Sequence, residues 1–255
     1  MLALERRARI LSRLTGSGNV LVAELSREYQ VTDETIRRDL ELLEREGLAR
    51  RTYGGAVRLG GAQAELPYQM RRQTNVESKR GMAGLIASRI PDGESVALDA
   101  STSALFVARA LMARRHLSLI TNSMEILTET AGKTDWTILA TGGSLKSSAL
   151  AFVGPQAERA IGEFHVSLAV MSCKGLDAQA GFTDTNEQDA AVKRAFMRCA
   201  ARTAFLVDAS KFGRRAFARI APLSGAAWVV TDARPPEPWP GVLAEQGIEL
   251  ILPEV

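Results

Sequence analysis

From residue 95 to residue 251 the chain repeats one pattern: a short, continuously apolar run, a polar break, then a segment of helical length. The runs are Ser95-Val96-Ala97-Leu98, Leu117-Ser118-Leu119-Ile120, Trp136-Thr137-Ile138-Leu139-Ala140, residues 166–171, Ala204-Phe205-Leu206-Val207, Trp228-Val229-Val230 and Glu249-Leu250-Ile251. Helical periodicity fills residues 104–113, 124–131 and 188–201. A strand with one wetted face alternates apolar and polar residues, whereas a strand buried on both faces reads as apolar throughout. Strands of the second kind, separated by helices, predict an α/β fold with a mostly parallel sheet covered on both sides.

The polar breaks carry the candidate chemistry. Asp99-Ala100-Ser101-Thr102-Ser103 follows the first run, Thr121-Asn122-Ser123 the second, Thr141-Gly142-Gly143-Ser144 the third, and Asp208-Ala209-Ser210-Lys211 a later one. In open α/β sheets ligands bind outside the carboxyl ends of the strands. Hydroxyl-rich and glycine-rich loops leading into helices present N–H groups to anions. Each loop taken alone also serves simply to cap a helix. Together they predict a site for a small phosphorylated or carboxylated ligand, with Lys174 and Lys211 adding positive charge.

The first sixty residues differ. Leu4, Ala8 and Leu11 set a helical period, residues 16–18 break it, and residues 23–29 make a second short helix. A tight turn leads to residues 32–46, where Ile36, Leu40 and Leu43 share one stripe and Arg37 and Arg38 lie roughly opposite. Thr32 suits the N-cap, Asp33 and Glu34 suit the first turn, and Gly47 suits the end. Residues 48–52 and 56–59 then pair as a hairpin across Tyr53-Gly54-Gly55, decorated by Arg50, Arg51 and Arg58.

This order is that of a winged helix-turn-helix, in which the second helix of the motif enters the major groove and the wing follows phosphates. The candidate DNA contacts are Thr32, Thr35, Arg37, Arg38, Arg50, Arg51, Tyr53 and Gly54. Eleven arginines against nine carboxylates in this segment leave little excess charge. Few phosphate contacts per copy favour a dimer or larger assembly on repeated half-sites.

Bulk properties narrow the classes further. The apolar share of 46%, charged share of 24% and net charge of +3 are those of a soluble globular chain. No signal peptide and no membrane span is expected. Cys173 and Cys199 form no CxxC pair and suit a reducing cytoplasm. Cys173, beside Lys174, reads as a small buried thiol rather than a redox sensor. His116 and His165 stand apart from any carboxylate pair at ligand spacing, so neither a metal nor a cofactor is expected.

Three blocks, Val20-Leu21-Val22-Ala23-Glu24-Leu25-Ser26, Thr35-Ile36-Arg37-Arg38-Asp39-Leu40-Glu41 and Arg51-Thr52-Tyr53-Gly54-Gly55-Ala56, resemble the N-terminal signature of the DeoR family of bacterial transcription regulators. Tyr53 stands where that family usually carries histidine. The loops after the strands, with Ala191-Val192-Lys193-Arg194-Ala195 and Thr231-Asp232, resemble its sensor domain, although Ala100 replaces a usual glycine.

The resemblance implies three segments: a winged helix-turn-helix at 1–59, a linker at 60–75, and an effector-sensing domain at 76–255 similar in fold to ribose-5-phosphate isomerase. It further implies a cytoplasmic homodimer or homotetramer that represses a sugar or polyol operon and releases operator DNA on binding a phosphorylated sugar or polyol. The effector set implied is Asp99, Ser101, Thr102, Ser103, Thr121, Asn122, Gly142, Gly143, Lys174, Glu187 and Lys211.

The alternative is a sugar-phosphate isomerase or deaminase fused to a DNA-binding module. The isomerase's acidic Gly-Ala-Asp-Glu segment is absent from residues 170–177, where only Lys174-Gly175 echoes it. Glu187 remains as the carboxylate that a base would require. No enzymatic activity is expected.

Overall fold

The computed structural model describes residues 2–58 and 67–253, so the expected strand end at Leu59 and residues 60–66 of the 60–75 linker lie outside the described residues. The chain forms two compact units, Met1–Asn75 and Val76–Val255.

In the first unit α1 (Ala3–Ser17) ends where Gly18 turns left-handed and donates its N–H to Leu14. Then come β1 (Asn19–Leu21), α2 (Val22–Tyr29), α3 (Asp33–Arg45), β2 (Ala49–Thr52), β3 (Gly55–Arg58) and α4 (Tyr68–Gln73). The strands make an antiparallel sheet in the order β1-β3-β2. Ile10, Leu11, Leu14, Leu25, Ile36, Leu40 and Leu43 fill a core of helix stripes. A buried ion pair ties α1 to α3: Arg6 Nε donates to Asp39 Oδ2 at 2.5 Å. Residues 68–73, expected as linker, are helical and pack on α1, with Met70 buried in the same core. Six residues carry too little periodicity to announce a helix, and tertiary packing supplies what propensity does not.

Gly55 permits the sheet to close. A Cβ there would sit 2.0 Å from the Val20 carbonyl oxygen. Gly55→Ala is therefore expected to cost about 1–3 kcal/mol through overpacking, read as a lowered midpoint in urea unfolding; an unchanged midpoint would contradict the close approach.

The second unit opens with α5 (Val76–Ala87), β4 (Ser95–Leu98), α6 (Thr102–Ala110), β5 (Ser118–Thr121), α7 (Met124–Thr130) and β6 (Thr137–Ala140). It continues with β7 (Ser144–Lys146), β8 (Ala151–Val153), α8 (Pro155–Gly162), β9 (Val166–Ser172), β10 (Gly175–Asp177), β11 (Gly181–Asp184) and α9 (Glu187–Cys199). It ends with β12 (Ala200–Leu206), β13 (Ala218–Ala221), β14 (Trp228–Val230), α10 (Trp239–Glu245) and β15 (Glu249–Ile251).

The seven expected strands form one sheet, β15-β14-β12-β9-β4-β5-β6, and every pairing in it is parallel. Successive residues feed opposite cores. Val96, Leu98, Leu168 and Val170 pack with α5 and α6, while Ala97, Ala169 and Met171 pack with α8 and α9. Burial on both faces is why these strands are apolar throughout. The chain runs outward from β4 to β6, then returns to place β9 on the other side of β4. The β4–β9 boundary is thus the topological switch point, where such sheets leave a crevice.

The sequence reading did not anticipate the β7–β8 hairpin, the antiparallel sheet β10-β11-β13, or helices α8 and α10.

Candidate nucleic-acid interface and effector pocket

Thr32 caps α3: its hydroxyl accepts from the Thr35 N–H at 3.3 Å, and the two hydroxyls lie 2.9 Å apart. Ile36, Asp39, Leu40 and Leu43 are buried, which turns the opposite face outward. At 100° per residue Glu34, Arg38, Glu41 and Arg45 form the outermost line, and Arg37 lies on the flank shared with Asp33 and Glu44. Arg37 is 3.9 Å from Asp33 and Arg38 is 3.2 Å from Glu34, both as exposed i,i+4 pairs. Such pairs are worth only about 0.3–0.5 kcal/mol, so both guanidinium groups are available to a stronger partner.

The wing residues divide. Arg50 is exposed, and Tyr53 stands clear of the fold at the hairpin tip. Gly54 has φ +81° and makes the turn possible. Arg51 is engaged: its backbone N–H and Nε donate to the Glu44 carboxylate at 2.8 and 3.0 Å. These bonds, the backbone one foremost, hold the Glu44 carboxyl below its usual range. Arg51 therefore struts the wing to α3.

In the second unit the candidate loops line the carboxyl ends of adjacent strands, since Leu98 is in register with Thr121, Thr121 with Ala140, and Leu98 with Val170. Asp99 accepts from Ser101 Oγ at 2.5 Å, and Ser101 in turn caps α6. Thr102 and Ser103 are buried in the first turn of that helix. Thr121 is locked to the Leu98 carbonyl at 2.7 Å. Asn122 Nδ2 donates to the Phe152 carbonyl at 2.9 Å, and its Oδ1 is buried with no hydrogen-bond partner. Gly142 and Gly143 both have positive φ, and a Cβ on Gly143 would meet the Val153 oxygen at 2.8 Å. Here the β7–β8 hairpin folds against the loops, and Lys146 reaches Asp189 of α9 at 2.8 Å.

A buried charge network lies at the switch point. Lys193 projects from α9 to Asp184, to Asp99 Oδ2 at 3.3 Å and to the Ser172 carbonyl at 2.7 Å. Lys211 donates to Ser172 Oγ at 2.8 Å and pairs with Asp208 at 3.2 Å. Burial pushes the Asp184 carboxyl up, but Lys193 and Lys174 outweigh it and hold it below the usual range. The same balance, struck by Lys211, depresses Asp208. Burial raises the Cys173 thiol to about 11 against the pull of Lys211 and Lys193, which leaves it unreactive as a thiolate at neutral pH.

The structure thus gathers Asp99, Ser101 and Lys211 around Ser172, with Lys174 acting on Asp184 and Thr102, Ser103, Thr121, Asn122, Gly142 and Gly143 along the adjoining edge. It does not bring Glu187 into the network. That side chain is exposed and paired with Arg194, which also holds the Arg219 carbonyl at 2.6 Å, while Asn186 caps α9. Lys193, Asp184, Ser172 and Asp208 were absent from the expected set. The sequence signals for Lys193 are its place in the block of residues 191–195 that resembles the sensor domain and its position on the buried stripe of Ala190 and Phe196. Among the described residues no His, Cys, Asp and Glu group is arranged to hold a metal, and no helix is long and apolar enough to cross a membrane.

Comparison with known proteins covers both units. Residues 6–60 match the DeoR-like helix-turn-helix domain, and residues 74–233 match the DeoR C terminal sensor domain. The chain is 37% identical to the uncharacterized HTH-type transcriptional regulator YulB of Bacillus subtilis over 91% of its own length and 90% of that protein's. It is 30% identical to the glycerol-3-phosphate regulon repressor of Escherichia coli over 97% and 98% of the two chains. A ribose 5-phosphate isomerase from Methanocaldococcus jannaschii aligns over 55% of each chain at 14% identity and a TM-score of 0.40.

Proposed function

The chain belongs to the DeoR family of transcription regulators, and on that footing we propose that α3 reads operator DNA while the β4–β9 crevice senses a phosphorylated sugar or polyol. Membership sets the chain among regulators and not among sugar-phosphate isomerases. The exposed, ion-paired Glu187 agrees, because a carboxylate held by Arg194 at the surface is not poised to take a proton from a bound sugar.

The observation that carries the sensing role is the convergence of Lys193 and Lys211 on Ser172 at the switch point, beside the hydroxyl-rich start of α6. One buried and one part-buried ammonium group, with hydroxyls and a helix N-terminus at one strand edge, suit an anion that also carries hydroxyls. The orphan Asn122 acceptor suits a hydroxyl donor. Repression relieved by the effector requires that the effector bind DNA-competent and DNA-incompetent arrangements with different affinity. A two-fold assembly on paired half-sites supplies two such arrangements.

Thermal-shift measurements with a panel of phosphorylated sugars and polyols identify the effector, since a true ligand stabilises the fold by mass action. Lys211→Ala is then expected to weaken the effector response about tenfold or more, the scale of one charge-assisted hydrogen bond. Affinity for DNA without effector is expected to stay as in the native chain. Anisotropy titrations at fixed salt read both quantities, and an unaltered effector response would refute the pocket.

A further inference from the structure

We propose that Glu34 is a specificity-determining residue that reads a cytosine next to the base read by Arg38, so that α3 carries a paired acid–base reading unit rather than arginines alone. The proposal rests on the reading that α3 enters the major groove.

Of the carboxylates on α3, Asp39 is buried against Arg6, Glu44 is held by Arg51, Asp33 is half-exposed on the flank, and Glu41, on the outermost line but seven residues further along, is half-exposed. Glu34 is the most exposed of them, at 61% of its side chain, and its partner Arg38 is the most exposed arginine of the helix, at 75%. Both stand on the outermost line of α3, within the first two turns, where base-edge contacts of such helices fall. The equivalent pair Glu41–Arg45 lies seven residues further on, about 10 Å along the axis.

A carboxylate on a surface that meets a polyanion opposes binding unless it accepts a hydrogen bond there. Base edges offer it one clean donor. The cytosine N4 amino group has an acceptor on one side only, the O6 of its paired guanine, with C5–H on the other, whereas adenine N6 lies between N7 and the thymine O4, both of which repel a carboxylate. Arg38 complements this, since its fork fits guanine O6 and N7. Four residues of helix rise span about 6 Å, less than two base-pair steps of ~3.4 Å. The Arg38 Nε to Glu34 Oε1 contact at 3.2 Å places the two heads side by side, within reach of neighbouring base pairs.

The test is selection from a randomised duplex pool with the full-length native protein, Glu34→Gln, Glu34→Ala and Arg38→Ala, followed by anisotropy on the enriched sites. The native half-site is expected to hold a guanine and, within two base pairs of it, a cytosine. Glu34→Ala should lose preference at the cytosine alone, by about tenfold in relative affinity. Glu34→Gln should move that one position toward adenine, which an amide reads through N6 and N7. Arg38→Ala should lose the guanine. A helix-capping or dipole role for Glu34 moves none of these columns. If both Glu34 variants enrich the native half-site and merely bind every sequence more tightly, the carboxylate is only a repulsive charge and the proposal falls. If the native chain enriches no motif, sequence reading by α3 falls and this assignment with it; a native motif that survives both Glu34 changes overturns the assignment alone.

Discussion

Arg37→Ala combined with Arg38→Ala is expected to reduce affinity for a selected operator at least a hundredfold, to the level of random duplex, while leaving the fold intact. The guanine-reading fork of Arg38 is worth about 1–3 kcal/mol of discrimination, Arg37 adds a phosphate contact, and every copy in an assembly loses both at once. Stability should scarcely move, because each side chain is exposed and gives up only one weak i,i+4 pair. The two positions should also differ. Arg38 stands on the outermost line of α3, so its loss should relax base preference. Arg37 lies on the flank toward Glu44, so its loss should weaken all sequences more evenly and lower the salt dependence. Anisotropy at two salt concentrations with operator and scrambled duplex separates these effects, and thermal melting checks the fold. Unchanged operator affinity in the double variant would remove α3 from the interface.

Lys193→Met is expected to be the most damaging single change in the sensor unit, costing about 3–5 kcal/mol at neutral pH, because it strands buried carboxylates without their cation. Asp99 and Asp184 are almost wholly buried, and Lys193 is the ammonium they share. The sign of the pH dependence then reverses. In the native chain Asp184 and Asp208 sit below the usual carboxylate range. Their contribution is present above about pH 4 and is lost as pH falls through their lowered values. In the variant Asp184 keeps its burial but loses Lys193, its largest lowering partner, so its carboxyl moves up past its unfolded value even with Lys174 nearby, and acidification from pH 7 toward 5 should stabilise the fold. Urea unfolding between pH 7 and 5 should leave the native protein nearly constant, its loss coming only below about pH 4, and should show the variant gaining stability as pH falls. Parallel curves would show that the network does not carry the stability assigned to it.

What the sequence disclosed follows from how each element is stabilised. The central strands of the main sheet were legible because burial on both faces leaves few polar positions to obscure them, and the part-exposed edge strands β6 and β15 were legible as short apolar runs beside helical segments. The cap at Thr32 and the stripe of α3 were legible because capping and helical period are local. The strands β10 and β11 were not: Gly175-Leu176-Asp177 and Gly181-Phe182-Thr183-Asp184 become strands by pairing with each other and with distant β13. Helix α4 was hidden for the same reason, being held by its contact with α1.

At the candidate sites the sequence marked loops but not partners. It placed Asp99 and Lys211 correctly at strand ends without showing that Ser172 lies between their neighbours. It set Lys193 within a block resembling the sensor domain but gave it no role, because a lysine within a helix reads as solvated until the packing of α9 shows which way it points. Arg51 was read as a phosphate contact because nothing local reveals that Glu44, seven residues earlier, lies across from it.

That strut bears on which operators the protein accepts. With the wing and the proposed recognition helix joined through Glu44 and Arg51, the reading head resists widening or narrowing to suit a groove, so more of the conforming falls to the duplex. Flexible pyrimidine–purine steps yield cheaply and stiff A-tracts do not. Two sites with identical contacted bases should therefore be bound unequally when the untouched sequence between them differs in deformability.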